Sequence, residues 1–258
     1  MEDDAADMRV LSVAFSIGVT SMACGGTPPE ATTSPEPVAP MEEPTGATER
    51  ARPSSLSPAL HASVQAAMGE VAQIPEERRV LLERIAAHVV ERRAGGKPAR
   101  LLFICTHNSR RSHMGQLWAA ASAAYFGIDG VETFSGGTEA TAFNPRAVAA
   151  LQRAGFEIEA PEQGDNPRYT VALGEGLPSQ EAFSKRYMDP PNPAEGFVAV
   201  MTCSDADQAC PLVAGSDLRV ALPYVDPKVS DGTPEEAATY DERSRQIARE
   251  MAYLFSKV

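Results

Sequence analysis

The chain has 258 residues, 43% of them apolar, enough for one α/β domain with extensions. Its net charge of −12 is uneven: nine acids stand against Arg9 and Arg50 within residues 1–50, a balance of −7 that leaves −5 for all the rest. With no basic patch and no alternation of aromatic and basic residues, nucleic acid is excluded as a partner. Four cysteines, Cys24, Cys105, Cys203 and Cys210, are too few for a disulfide framework, so each is read singly.

The segment from Met8 to Cys24, MRVLSVAFSIGVTSMAC, has one arginine, an apolar run and small residues ahead of a cysteine. It resembles a bacterial lipoprotein signal in which Cys24 becomes the acylated residue, with translation starting at Met8. A cleaved secretory signal and a tail with an incidental Cys24 thiol are the other two readings. The run is too short for a transmembrane helix. The expected location is a membrane-anchored lipoprotein facing the periplasm or exterior, reaching the membrane only through Cys24, and cytoplasmic if the segment is not a signal. Residues 25–57 are rich in Pro, Glu, Thr and Ser, a composition that cannot bury enough apolar surface to fold; they are expected to form a disordered tether.

Residues 58–96 are expected to form a helical extension packed on the main domain. Its second helix is the clearer: Pro75 suits a first helical position, Glu76 and Glu77 favour the first turn, and Leu81, Leu82, Ile85, Val89 and Val90 form a stripe ending near Gly95. His61 and His88 have no ligand-spaced partners and are read as structural or exposed. The domain proper, 97–258, opens with the apolar run Leu101–Ile104, a strand buried on both faces. An Ala-rich helix, 112–126, stops at Gly127; a strand, 131–135, and a helix, 145–155, follow. Residues 157–196 are polar and poorly periodic, and are read as a long inserted excursion near the site. Two more strands, 197–202 and 218–223, precede a terminal helix over 235–256 with Ile247, Met251 and Leu254 inward. Strands alternating with helices make a small four-stranded parallel sheet with helices on both faces.

Cys105 falls at the carboxyl end of the first strand, where open α/β sheets place their ligands. The loop Thr106–Arg111 leads into a helix, so its backbone N–H groups and the helix's positive end converge on one point, which binds an anion. This setting, with Arg111 beside it, favours the cysteine thiolate. Arg111 offers a planar fork to two oxygens of the anion, and Ser112 can donate to the sulfur. The residues alone therefore describe a nucleophile facing a bound oxyanion.

The run Cys105-Thr-His-Asn-Ser-Arg-Arg111-Ser112 is similar to the C-x5-R-S phosphate loop of low-molecular-weight protein tyrosine phosphatases, and more so to that of the related thioredoxin-coupled arsenate reductases. Three further stretches carry the resemblance: FSGGTEATAFNPRAVAAL, which would place Ser135 beside Asn108 to brace the loop; TCSDADQACP, which holds Cys203 and Cys210; and PYVDP, with Asp226 before Pro227. The resemblance implies that Thr106, His107, Asn108, Ser109, Arg110 and Arg111 bind the oxyanion, that Cys105 attacks it, and that Asp226 is the general acid. It implies no cofactor and no metal. Cys203 and Cys210 would be a redox pair that turns attack on arsenate into its reduction, reset by thioredoxin or another dithiol; a stable structural disulfide and two unrelated buried thiols are the alternatives. Asp189-Pro190 is a rival to Asp226-Pro227. Three functions follow: a thiol-dependent arsenate reductase; a phosphatase acting on phosphotyrosine or a small phosphomonoester; and an oxyanion or redox sensor without turnover.

Overall fold

A computed structural model describes residues 55–159, 164–210 and 212–258. The signal segment, Cys24 and the linker as far as residue 54 lie outside the described residues. In chain order the elements are β1 (Ser55–Leu56), α1 (Pro58–Met68), α2 (Glu76–Ala94), β2 (Ala99–Cys105), α3 (Arg111–Tyr125), β3 (Val131–Gly137), α4 (Pro145–Arg153), β4 (Glu157–Glu159), β5 (Tyr169–Ala172), β6 (Gly174–Glu175), β7 (Gln180–Ala182), β8 (Phe197–Met201), α5 (Ser204–Ala209), β9 (Ser216–Ala221) and α6 (Glu236–Phe255).

The central sheet is four-stranded in the order β3-β2-β8-β9, with every neighbouring pair parallel. All of β2 except Arg100 is buried, as a strand covered on both faces must be. Alternation along it separates two cores. Leu101 and Phe103 join Val198, Val200 and Val220 in the larger one, under α1, α2, α3, α4 and α6. Leu102, Ile104 and Cys105 join Ala199, Met201, Cys203, Ala206 and Val213 in a small second core on the opposite face. The small core ends in cysteines from two different strand ends. Phe103 also sets how close α3 lies, since a Cβ on Gly115 would meet its ring at 2.5 Å.

The extension is part of the domain's packing. Arg78 of α2 donates to both oxygens of the buried Glu250 of α6 at 2.7 Å and to the Pro223 carbonyl at 3.1 Å. The Tyr224 hydroxyl donates to Glu250 at 2.7 Å; burial, and then the Glu250 charge, hold that phenol well above its ordinary range. Along α2, Leu82, Ile85, Ala86 and Val89 are buried and Leu81 half-buried, whereas Val90, expected in the stripe, is 42% exposed. Ala86 takes that place because it lies one position further round the buried arc.

A second expectation is corrected, and the excursion gains internal structure. Residues 55–57, assigned to the tether, are ordered: Leu56 is buried, β1 pairs with β6, and the Ser57 hydroxyl caps α1 by accepting from the Leu60 amide at 3.3 Å. The excursion 157–196 is not structureless, for β4, β5 and β7 form a three-stranded antiparallel sheet. Its strands are three or four residues long, too short for alternation to show in sequence, although Tyr169 and Val171 are buried around an exposed Thr170.

Candidate active site

The loop after β2 is shaped by where its carbonyls point. Cys105 O accepts from Thr138 N at 3.1 Å, Thr106 O from Glu139 N at 2.8 Å, and Ser109 O from Asn144 N at 2.9 Å. The His107 carbonyl accepts from the hydroxyls of Thr141 at 2.9 Å and Ser184 at 3.0 Å. With these oxygens tied outward to the β3–α4 connection and the excursion, the amides between them are left to face the Cys105 side. Gly137 has to be glycine here, since a Cβ would meet Asn108 N and Thr106 O at 2.7 Å.

A chain of hydrogen bonds ends on the nucleophile. The Asn108 side-chain amide donates to Ser112 Oγ at 2.9 Å, and that hydroxyl lies 3.1 Å from Cys105 Sγ. With the Ser112 oxygen accepting from Asn108, its own proton is free to point at the sulfur. Asn108 is fully buried in the left-handed region, φ 43°, and its own oxygen accepts from the Lys185 amide at 2.9 Å. Ser135 was expected beside Asn108, but its hydroxyl bonds His113 Nδ1 at 3.1 Å instead. His113 is wholly buried, stacked on Phe143 at 4.1 Å, and burial with the nearby Lys185 charge keeps it well below the usual imidazole range. Ser135 thus steadies the first turn of α3, and the excursion steadies Asn108.

Arg111 and Asp226 meet directly, with Nη2 donating to Oδ2 at 2.6 Å. Nη1 donates to the Tyr224 carbonyl at 2.9 Å. The fork expected to face the oxyanion thus gives one N–H of each Nη to these two groups, and the buried Nε has no protein partner. Asp226 also accepts from the Lys228 amide at 3.0 Å. The rival Asp189 is paired with Arg186 at 3.0 Å in the excursion. Arg110 departs further from expectation: Nε donates to the Tyr240 hydroxyl at 2.7 Å and Nη2 to Asp231 at 3.4 Å, so an acid and a phenol hold its charge. Burial, then the bond to Asp231, pushes Tyr240 up to about 12. The His107 ring, 53% exposed, lies 3.7 Å from Glu139 at the rim.

Cys203 approaches the same loop from β8. It is 1% exposed, and its sulfur lies 3.4 Å from the hydroxyl of Thr106, the residue next to the nucleophile. Cys210 packs against the same small core, and Cys105, Cys203 and Cys210 are all free thiols. Among the described residues no cluster of ligating side chains could hold a metal ion.

The family model for low molecular weight phosphotyrosine protein phosphatase matches residues 100–169. Three curated relatives are arsenate reductases. That of Bacillus licheniformis is 27% identical over 157 residues, 61% of this chain and 94% of the relative. That of Halalkalibacterium halodurans is 31% identical, covering 53% and 79%, and that of Bacillus subtilis 30% identical, covering 56% and 86%. The chain belongs to the low-molecular-weight phosphatase superfamily, close to its arsenate reductases.

The loop signature led to Cys105, Arg111 and Ser112, and the PYVDP and TCSDADQACP stretches to Asp226, which pairs with Arg111, and to Cys203 beside Thr106. It did not lead to the loop's outer supports. Lys185, Tyr224 and Ser184 reach the loop only through tertiary contacts; the nearest local signal is the Gly136-Gly137 pair, where Tyr187 and the loop each pass too close for a side chain.

Proposed function

We propose that the protein is a thiol-dependent arsenate reductase. The observation that carries this reading is the placement of Cys203: a buried free thiol against Thr106, in the small core that also holds Cys105. The likeness to arsenate reductases over most of their length supports it. In the first step the Cys105 sulfur attacks arsenic, the loop amides and Arg111 Nε hold the oxygens, and the displaced oxygen leaves as water with a proton from Asp226. Asp226 is ion-paired with Arg111, and on this reading the proton it passes on enters with a protonated oxyanion. Cys203 then attacks the Cys105 sulfur. The S–S bond forms, the S–As bond breaks and its electron pair stays on arsenic, which leaves as arsenite; the two thiols lose the two electrons arsenic gains. Cys210 attacks Cys203 and frees Cys105, and an external dithiol such as thioredoxin reduces the Cys203–Cys210 bond. The acylation of Cys24 belongs to the same proposal and rests on the sequence of residues 8–24.

The second reading is a phosphatase, favoured by the Arg111–Asp226 pair, because attack by Cys105, an acid and water are all that aryl phosphate hydrolysis needs. Cys203→Ser separates the two. Arsenate reduction should fall to background while hydrolysis of an aryl phosphate continues; retained arsenate reduction in this variant would rule out the reductase reading.

A further inference from the structure

The helix between the two outer cysteines is short and closed at both ends. At its start Cys203 Sγ accepts from the Ala206 amide at 3.4 Å, and at its end Cys210 N donates to Ala206 O at 3.0 Å. Seven positions at roughly 1.5 Å each place Cys203 and Cys210 about 10 Å apart along the axis, whereas a disulfide needs Cα atoms within about 7 Å. No Cys203–Cys210 bond forms unless α5 unwinds. Six residues do not make a self-sustaining helix in water, so outside contacts set how readily it opens. Beyond the packing of Ala206 in the small core, one side chain supplies its hydrogen bonds from outside. Arg219 of β9 donates from Nε to the Cys210 carbonyl at 3.0 Å, and from Nη2 to the Asp207 carbonyl at 2.8 Å and the Asp207 carboxylate at 2.5 Å. Its charge sits at the helix's negative end, and its fork ties the two carbonyls that unwinding would have to release. On the far side of Cys210, Tyr187 packs against the same small core, and burial first, then the nearby Cys210 sulfur, holds its phenol above the usual range.

We propose that Arg219 is the latch of this helix: in the reduced protein it holds α5 wound and Cys210 out of reach of Cys203, with Tyr187 fixing the sulfur at the same end. Arg219 is thus a positioning residue for the last disulfide transfer, and the proposal rests on the reading of Cys203 and Cys210 as the redox pair. In that transfer the Cys210 thiolate, its proton gone to water, attacks the Cys203 sulfur of the Cys105–Cys203 bond. The Cys203–Cys210 bond forms, the Cys105–Cys203 bond breaks, and its electron pair leaves on Cys105. Because the latch exists only in the wound form, it favours the dithiol over the disulfide.

The test is a redox equilibrium in the full-length chain carrying Cys24→Ser and Cys105→Ser, so that only Cys203 and Cys210 titrate. Mixtures of reduced and oxidised dithiothreitol set the poise, and alkylation counts free thiols. Arg219→Gln should raise the equilibrium constant for disulfide formation about tenfold, or roughly 30 mV toward more negative potential. Arg219→Lys, keeping the charge without the fork, should fall between, and Tyr187→Phe should move the same way by less. An Arg219→Gln equilibrium within about twofold of its parent overturns the latch. Should that variant not fold, amide exchange of residues 206–210 in Arg219→Lys replaces it: faster exchange there with β8 unchanged supports the latch, and equal exchange overturns it. No arsenate enters either measurement, so a shifted equilibrium in a protein that fails the arsenate assay keeps the latch and rejects the reductase, while an unshifted one in a protein that passes does the reverse.

Discussion

The loop 105–112 and the helix 204–209 lie on the same sheet edge and are held in opposite ways. Every carbonyl named in the loop is tied by a group outside it, and Asn108 is fixed through both ends of its amide. The helix is tied mainly by one arginine and by the sulfur that will itself react. Attack on an oxyanion gains from donors that need not move, because no reorganisation is required as charge develops. The disulfide relay proposed for Cys203 and Cys210 needs the reverse, since Cys210 would have to travel. On that reading one half of the site is built to stay and the other to open.

The largest change should come from Asp226→Asn, which removes the acid but leaves α5 untouched. Aryl phosphate hydrolysis is expected to drop about 10²–10⁴-fold with the Cys203–Cys210 redox equilibrium unchanged; a shifted equilibrium would mean that the two halves are coupled. Glu250→Ala should break the wider frame, leaving Arg78 buried and unpaired and Tyr224 without its acceptor, at a cost of about 3–5 kcal/mol in a denaturant titration. Loss of activity is expected to track unfolding rather than precede it.

Lys185→Met keeps the backbone amide that holds Asn108 and probes only the buried charge behind it. Burial first, and then the Arg168 charge, lower this lysine to about 8. Between that value and its unfolded value near 10.5 the unfolded chain holds a proton that the folded chain has released, so stability should rise with pH across this window. Removing the ammonium should abolish that rise and stabilise the protein at pH 7 by on the order of 2–3 kcal/mol, as read from melts at pH 7 and 9.5. The smallest effect should be that of Asn108→Gly, which accepts the left-handed backbone but loses the relay to Ser112. Turnover of aryl phosphate is expected to fall about tenfold, about 1.4 kcal/mol and in the range of one neutral hydrogen bond, while Asn108→Ala adds backbone strain and falls further. Equal rates for these two variants would show that φ at 108 does not matter.

Much of this was legible in the residues. The buried run 101–104, the C-x5-R-S loop and the helix after it placed the nucleophile, because strand burial, loop chemistry and helix start are all local. The excursion was not legible, since strands of three or four residues leave no period and their partners lie far along the chain. Arg110 was misread for a related reason: a positive charge in the loop looks like an oxyanion ligand until Tyr240 and Asp231 are seen to hold it. The sequence by itself offered the candidate reacting atoms, for a cysteine after a buried strand, an Asp-Pro pair and two further thiols are read from residue type. The tertiary structure alone decided how each is held, with Lys185 behind Asn108, Arg78 and Glu250 behind Tyr224, and Arg219 on the helix that carries Cys210. These contacts join residues that are distant in the chain, and only packing brings their charges and carbonyls within hydrogen-bonding reach.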